Sequence, residues 1–334
     1  MGDYHPFGEY VRTLARGPAR SRNLTEDEAH DAMAMILKGE AVPEQIGAYF
    51  MLLRYHRETP EELAGMTRAL REHLALDGAG ARPDLDWPAY ASGKSRGLPL
   101  FVLSALLLAT SGIRVLMHGY NAFQDHPVTA EKAFALLGLP VAKTLGEAET
   151  ALADRGIAYI ALDDFCPELR QIIDLRGVLG LRSCANTLAR MFNPLGAEAL
   201  IQGVFHPDYR DLQQGAAHIL GQRALCVFKG GGGEAERNPL KPCAAFVLRD
   251  GEAVEEEWPA RLDARQRHLV GADSGIEGES LRALWRGELD DAAMSETVIG
   301  TAAVALRLTG RAGSIDEAEA MAEGLWADRP RDAV

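Results

Sequence analysis

Apolar residues recur at helical spacing through the first quarter of the chain. Thr25 and Glu28 form a capping box, and an apolar stripe follows them, so a helix is predicted to begin there. The stripe consists of Ala29, Ala32, Met33 and Ile36. Two more helices are predicted where proline occupies the first helical position, at Pro43 and Pro60. This pattern predicts a compact array of three helices.

The pattern changes after a linker at residues 77–88 that is rich in Gly, Pro and Asp. Apolar segments then alternate with helical ones, beginning with a helix over 98–111 and a strand over 113–119 and continuing to a strand over 223–230. Buried strands that alternate with helices predict an α/β domain. The apolar run 98–117 is too interrupted for a membrane helix, so a buried helix followed by a strand is the favoured interpretation.

The C-terminal third combines an acidic segment with two helices. Residues 247–263 predict a strand, a loop and a strand, and the Glu255–Glu257 run is expected on a solvated face. Ser314 and Glu317 form another capping box. We therefore expect the acidic segment at the protein surface.

Composition limits the possible functions. The chain has 334 residues and a net charge of −13. Bulk charge therefore does not attract nucleic acid or anionic membranes, and polyanion binding needs a local basic patch. The four cysteines form no C-x-x-C pair, and no metal site is predicted. Without an apolar signal-peptide core, we expect a cytoplasmic protein with reduced cysteines and no membrane attachment.

Several segments together resemble the anthranilate phosphoribosyltransferase (TrpD) family. They are residues 24–72, VLMHG at 115–119, RGVLGLRS from Arg176, GVFHPD at 203–208, RALCVFKG at 223–230 and residues 303–324. The resemblance covers nearly the whole chain, and it is specific because the order and spacing agree.

The resemblance implies an architecture of the phosphoribosyltransferase and nucleoside phosphorylase type. A small all-helical N-terminal domain accompanies a larger α/β domain with a mostly parallel central sheet. The helical domain is expected at 1–78, joined by helices from about 167–195, and the α/β domain at 84–166 and 197–330. A homodimer through the helical domains is also implied.

Two substrate motifs of the family are altered here. The GTGGD loop that cradles pyrophosphate corresponds to YASGKSRGL at 90–98. Gly93 remains there, but Lys94 and Arg96 replace the glycine-rich centre and the acidic residue. The NIST motif corresponds to PLFV at 99–102, which has no hydroxyl group. The resemblance therefore implies that phosphate-binding groups have been lost.

The magnesium loop of the family is altered as well. Its Asp-Glu pair corresponds to Ala235 and Glu236, so one carboxylate is missing, and Glu234 in a shifted register is the alternative ligand. Lys229 replaces the usual histidine before Gly230. We interpret this segment as the remains of a magnesium loop with enough basic character to bind phosphate.

The resemblance suggests one set of phosphate-binding cations and one set of residues left from the substrate cleft. The cations gained around the altered motifs are Lys94, Arg96, Lys229, Arg237 and Lys241. The vestigial substrate cleft consists of Gly93, His118, Gly119, Arg176, Asn186, Gly230 and Glu236. Arg176 matches the arginine that orients the aromatic acid in the enzymes. The alternative for Arg176 is pairing with a carboxylate or capping a helix.

This pattern of loss resembles the YbiB-type branch of the family, whose dimer binds DNA and RNA in a basic groove without sequence preference. The arginines that would contact phosphates from the helical part are Arg16, Arg20, Arg22, Arg182 and Arg190. The alternative is a solvated surface loop whose arginines have no specific role.

Three functions remain open from the sequence. The first is a nucleic-acid-binding homodimer with no catalytic residue and no cofactor. The second is a magnesium-dependent glycosyl or phosphoribosyl transferase with an altered acceptor, which would use PRPP. The third is a protein-interaction scaffold that uses the acidic surface.

Overall fold

The computed structural model describes residues 4–74, 80–90, 97–120, 128–263 and 279–334. The helices are α1 (Gly8–Ala15), α2 (Glu26–Leu37), α3 (Pro43–His56), α4 (Pro60–Leu74), α5 (Phe101–Thr110), α6 (Ala130–Leu136), α7 (Leu145–Arg155), α8 (Leu162–Phe165), α9 (Pro167–Leu179), α10 (Ala185–Met191), α11 (Tyr209–Ile219), α12 (Glu279–Arg286), α13 (Ala292–Leu308) and α14 (Ile315–Ala327). The strands are β1 (Leu85–Ala89), β2 (Val115–Gly119), β3 (Val141–Ala142), β4 (Ile157–Ala161), β5 (Ala199–Val204), β6 (Ala224–Lys229), β7 (Cys243–Arg249) and β8 (Glu252–Trp258).

The chain folds into two compact units. The first contains α1 to α4 with Cys166–Pro194 and Asp211–Gly221, so most of α11 belongs to the helical unit although the predicted boundaries did not include it. The second unit is an α/β domain. The predicted fold class, a small helical domain beside a larger α/β domain with a mostly parallel sheet, is confirmed.

Helices α2, α3 and α4 of the helical unit begin at the predicted signals. Thr25 caps α2 through the Glu28 N–H, and the Glu28 carboxylate accepts from the Thr25 N–H at 2.9 Å. Pro43 and Pro60 are the first residues of α3 and α4. α2 and α4 pack so closely that a Cβ at Gly65 would overlap the backbone of Glu26.

The Glu62 carboxylate joins two parts of the helical unit. It is fully buried and accepts hydrogen bonds from the backbone N–H groups of Leu24 and Thr59, each at 2.8 Å. The Asn23 side chain donates a third hydrogen bond at 3.2 Å. The segment before α2 is thereby fixed to the N-terminus of α4.

The α/β unit is built on an eight-stranded sheet in the order β3-β4-β2-β1-β5-β6-β7-β8. The strands from β3 to β6 in this order are parallel, and β7 and β8 form an antiparallel hairpin at one edge. All residues of β1, β2, β4 and β5 are buried, as expected for strands covered on both faces.

Helices α5 and α13 pack against each other beside the sheet. The Ser104 hydroxyl donates to the Val298 carbonyl at 2.9 Å, which satisfies a polar group in the core. The predicted buried helix and strand of residues 98–117 are α5 and the start of β2. Within the described ranges, no helix is both long and apolar enough to span a membrane.

The four cysteines are buried free thiols. Burial raises the pKa of Cys166 to about 12 and that of Cys243 to about 11. It raises the pKa of Cys184 and Cys226 as well. These thiols stay protonated at neutral pH and act as small core residues.

Glu62→Ala is expected to lower the free energy of unfolding by about 3 kcal/mol, because two backbone donors would lose their acceptor. Equilibrium urea denaturation measures this change. Glu61→Ala, at an exposed neighbouring position of α4, is the matched control and is expected to stay within about 0.5 kcal/mol of wild type. Equal stability of the two variants would contradict the role assigned to Glu62.

Candidate functional site

The candidate ligand edge of the α/β unit lies beyond the carboxyl ends of its parallel strands, where open α/β sheets bind ligands. β1 ends at Ala89, β2 at Gly119, β5 at Val204 and β6 at Lys229. The chain order reverses between the neighbouring strands β1 and β5. Of the segments that follow these ends, the structure describes those after β5 and β6 in full.

The glycine run after β6 forms a closed turn. Residues Gly231–Gly233 make a short 3-10 helix, and Gly232 has a left-handed φ of 66°. The Gly231 N–H donates to the Glu236 carbonyl at 2.8 Å, so the loop returns on itself. A Cβ at Gly230 would overlap the Glu234 carbonyl oxygen. The glycines therefore allow the chain to pack against its own backbone.

Gly203, on the neighbouring strand β5, also allows the loop to pack closely. A Cβ at Gly203 would overlap the backbone of Glu234 and Ala235. Ala235 is fully buried. The space that the missing side chains of Gly203 and Gly230 leave is therefore filled by residues of the same loop.

The Glu236 carboxylate lies at the N-terminus of α5. Its Oε2 accepts from the backbone N–H of Phe101, the first residue of that helix, at 3.2 Å, and the side chain is buried. Free N–H groups and the helix dipole make this end favourable for anions. An anion of the protein itself therefore takes the position where a phosphate would gain from the helix.

The loop after β6 offers two carboxylates, Glu234 and Glu236, so it would supply at most two of the oxygen ligands of a magnesium ion. Magnesium prefers several oxygen ligands in octahedral geometry. Glu236 already accepts from α5, and Glu234 and Glu236 are only 7% and 8% exposed. In the part of the chain that the structure describes, no group of three His, Cys, Asp or Glu side chains is placed to hold a metal ion.

Arg237 requires a correction, because it is a core residue and is not available to phosphates. Its side chain is 1% exposed and donates to Glu319 at 2.8 Å and to the Pro259 carbonyl. The guanidinium also lies 5.1 Å from the Trp258 ring centroid. Lys229 and Lys241, in contrast, are exposed on either side of the loop.

His118 belongs to a buried network at the ends of β1 and β2. Its Nε2 lies 3.1 Å from an Asp86 oxygen and its Nδ1 lies 2.7 Å from the Tyr90 hydroxyl. A carboxylate accepts, so in the neutral imidazole Nε2–H donates to Asp86 and Nδ1 accepts from Tyr90. All three residues are buried. Asp86 was missed, although an acidic residue in the apolar LDWPA strand was a usable signal.

Position 119, directly after His118, has no room for a side chain. A Cβ there would overlap the Ala89 carbonyl oxygen and lie 3.0 Å from the Tyr159 hydroxyl. The ends of β1 and β2 therefore meet closely, and the aromatic rings of Tyr90 and Phe165 contact His118. The edge between these two strands is occupied by side chains of the protein.

Arginines collect in the helical unit. Burial lowers the pKa of Arg182, and so do the nearby charges of Arg176 and Arg54. Arg54 Nη1 also donates to the Arg182 carbonyl at 2.6 Å. The sequence singled out Arg176 and Arg182, whereas Arg54 was missed. Cations brought this close to one another favour an anionic ligand.

Of the other predicted arginines of this unit, Arg22 and Arg190 contact residues near them in the chain. Arg22 makes two hydrogen bonds of 2.6 Å to the Glu28 carboxylate, which hold the pKa of Glu28 at about 2. Arg190 Nη1 donates to the Asn186 carbonyl at 3.0 Å, one helical turn before it. Arg16 and Arg20 are exposed. Gly93, Lys94 and Arg96 lie outside the described residues.

Known proteins match this chain over most of its length. The anthranilate phosphoribosyltransferase of Azospirillum brasilense is 28% identical over 322 residues, which cover 95% of this chain and 88% of that enzyme. The Thermus thermophilus enzyme is 28% identical over 308 residues and 91% of each chain.

Solved structures confirm the fold. The crystal structure of anthranilate phosphoribosyltransferase (TrpD) from Thermus thermophilus superimposes with a TM-score of 0.76 at 23% identity, covering 97% of this chain and 95% of that chain. The Saccharomyces cerevisiae enzyme in complex with PRPP and Mg gives a TM-score of 0.72 at 16% identity, covering 98% and 96%.

Two family models account for both units. The helical bundle domain of the glycosyl transferase family matches residues 8–74, and the a/b domain of that family matches residues 100–328. The first match lies within the helical unit, and the second covers most of the α/β unit together with Cys166–Pro194 and Asp211–Gly221 of the helical unit. The chain therefore belongs to the glycosyl transferase family and has the fold of the anthranilate phosphoribosyltransferases.

Proposed function

We propose that this chain binds DNA and RNA without sequence preference, as a homodimer joined through its helical units. The observation that carries the proposal is the collection of Arg54, Arg176 and Arg182 in the helical unit of an acidic chain. Exposed Arg16 and Arg20 add positive charge to the same unit. Arginine side chains at such density match the phosphates of a polyanion.

The geometry at the candidate ligand edge argues against PRPP binding there. Glu236 satisfies the N-terminus of α5, and the loop after β6 fills its own glycine space. A substrate phosphate would need to displace this carboxylate and would meet its negative charge. Phosphoryl and pyrophosphate groups are therefore disfavoured at the N-terminus of α5.

The net charge of −13 does not oppose the proposal at short range. Exposed charges farther apart than about 8 Å are largely screened at physiological salt, so the local arginines dominate close contact with a phosphate. We assign the protein to the cytoplasm, where its four free cysteines would remain reduced.

A magnesium-dependent glycosyl or phosphoribosyl transferase with an altered acceptor is the second candidate. The similarity to anthranilate phosphoribosyltransferases over 95% of the chain favours it, and by itself favours it over nucleic-acid binding. We nevertheless rank nucleic-acid binding first, because the Glu236 carboxylate occupies the N-terminus of α5 and the glycine turn closes on itself.

A labelled single-stranded oligonucleotide is expected to bind, with an affinity that falls steeply as salt rises. Fluorescence anisotropy at several salt concentrations measures this. The Arg16→Ala/Arg20→Ala variant is expected to reduce the slope of log K against log salt by about 1.4, because each lost phosphate contact removes about 0.7 on a single strand.

Arg155→Ala/Arg311→Ala provides the matched control, because it removes the same charge from exposed positions of the α/β unit. Its salt slope is expected to equal that of wild type. Absence of binding at low salt would overturn nucleic-acid binding. An unchanged slope for the Arg16/Arg20 variant would overturn the placement of the site on these arginines.

PRPP is expected not to bind in a magnesium-dependent manner at concentrations up to about 1 mM, the upper range of enzyme KM values. Isothermal titration calorimetry with and without magnesium measures this, and a titration with the oligonucleotide on the same preparation shows that the protein is active in binding. Magnesium-dependent PRPP binding would favour the transferase instead.

A further inference from the structure

The last turn of α3 exposes an aromatic residue between cations. Arg54, Tyr55, His56 and Arg57 are consecutive and all exposed. Tyr55 is 82% exposed, and among the ring contacts of the described residues its ring meets only the edge of His56, with centroids 5.5 Å apart. Tyr55 therefore presents the faces of its ring to solvent.

Arg57 has a backbone conformation that arginine rarely adopts. Its φ is 65° and its ψ is 108° at the C-cap of α3. The other residues with positive φ, glycine apart, in the described ranges are Asn193 and Asp250, which tolerate this region. Strained backbone of this kind clusters at functional sites. Arg57 is therefore a candidate for a functional role.

More positive charge lies next to this turn. Arg54 Nη1 donates to the Arg182 carbonyl at 2.6 Å. Burial lowers the pKa of Arg182, and so do the nearby charges of Arg176 and Arg54, so these three guanidinium groups interact electrostatically. Phosphates near this turn would meet several cations at once.

A base and its phosphates together match this arrangement. Proteins bind single strands by stacking bases on aromatic rings while cations contact the backbone. A paired duplex does not offer its base faces for stacking, so an exposed ring favours a single strand. Tyr55 provides the ring, and Arg54 and Arg57 flank it in the chain.

We propose that the Arg54–Arg57 turn is a single-strand binding element in which Tyr55 stacks on a base while Arg54 and Arg57 contact the flanking phosphates. This inference rests on the proposed nucleic-acid binding and specifies its partner as single-stranded nucleic acid. Tyr55 was not identified from the sequence.

Tyr55→Ala is expected to weaken binding of a labelled single-stranded oligonucleotide about 5- to 100-fold, the range for losing one stacked base. The affinity of Tyr55→Ala for an abasic oligonucleotide of the same length is expected to lie within about twofold of the wild-type affinity for that oligonucleotide, because an abasic strand has no base to stack. Tyr55→Phe is expected to restore binding of the normal oligonucleotide.

Tyr4→Ala is the matched control, because Tyr4 is a second exposed tyrosine of the helical unit, 73% exposed. It is expected to bind both oligonucleotides like wild type. Unchanged binding by Tyr55→Ala would overturn the inference. An equal loss for the normal and the abasic oligonucleotide, accompanied by a change of oligomeric state in light scattering, would also overturn it and assign the turn to a protein interface.

Failure of the inference and failure of the proposed function are distinguishable. If wild type binds the single strand and Tyr55→Ala binds it equally, only the stacking element is wrong. If wild type binds neither oligonucleotide at low salt, the proposed function is wrong and the inference is overturned with it.

Discussion

The backbone of Glu234 and Ala235 fills the space that Gly203 and Gly230 leave free, and the candidate ligand edge depends on this packing. A glycine run after a strand is typical of loops that bring backbone N–H groups to an anion. In this chain the loop returns on itself, and the Glu236 carboxylate reaches the N-terminus of α5. The interactions that would bind a phosphate are made by the protein with itself.

The cations of functional interest lie elsewhere in the chain. Arg237 is held inside the α/β unit by Glu319, whereas Arg54 and Arg182 lie together in the helical unit. The fold is that of the anthranilate phosphoribosyltransferases. A fold does not determine a function, which depends on the groups at the site. The same architecture is therefore compatible with binding a polyanion through its helical unit.

The sequence predicted features that depend on near neighbours. The capping box at Thr25, the helix starts at Pro43 and Pro60 and the buried strands follow from local spacing, and the structure contains them. Arg237 was mispredicted because a charged residue after a glycine loop is normally solvated. Its burial depends on Glu319, a residue 82 positions away. The pairing of His118 with Asp86 likewise requires the register of two strands.

Closure of the glycine loop by its own backbone is the feature on which the loss of PRPP chemistry rests. Urea denaturation of Gly230→Ala, followed by circular dichroism, is the decisive experiment. Loss of more than about 4 kcal/mol or failure to fold is expected, because the new Cβ would overlap a carbonyl oxygen. Gly146→Ala, in open space on α7, is expected to match or slightly exceed wild type in stability. A Gly230→Ala protein as stable as wild type would contradict closure, because the loop would then be open enough to receive a ligand.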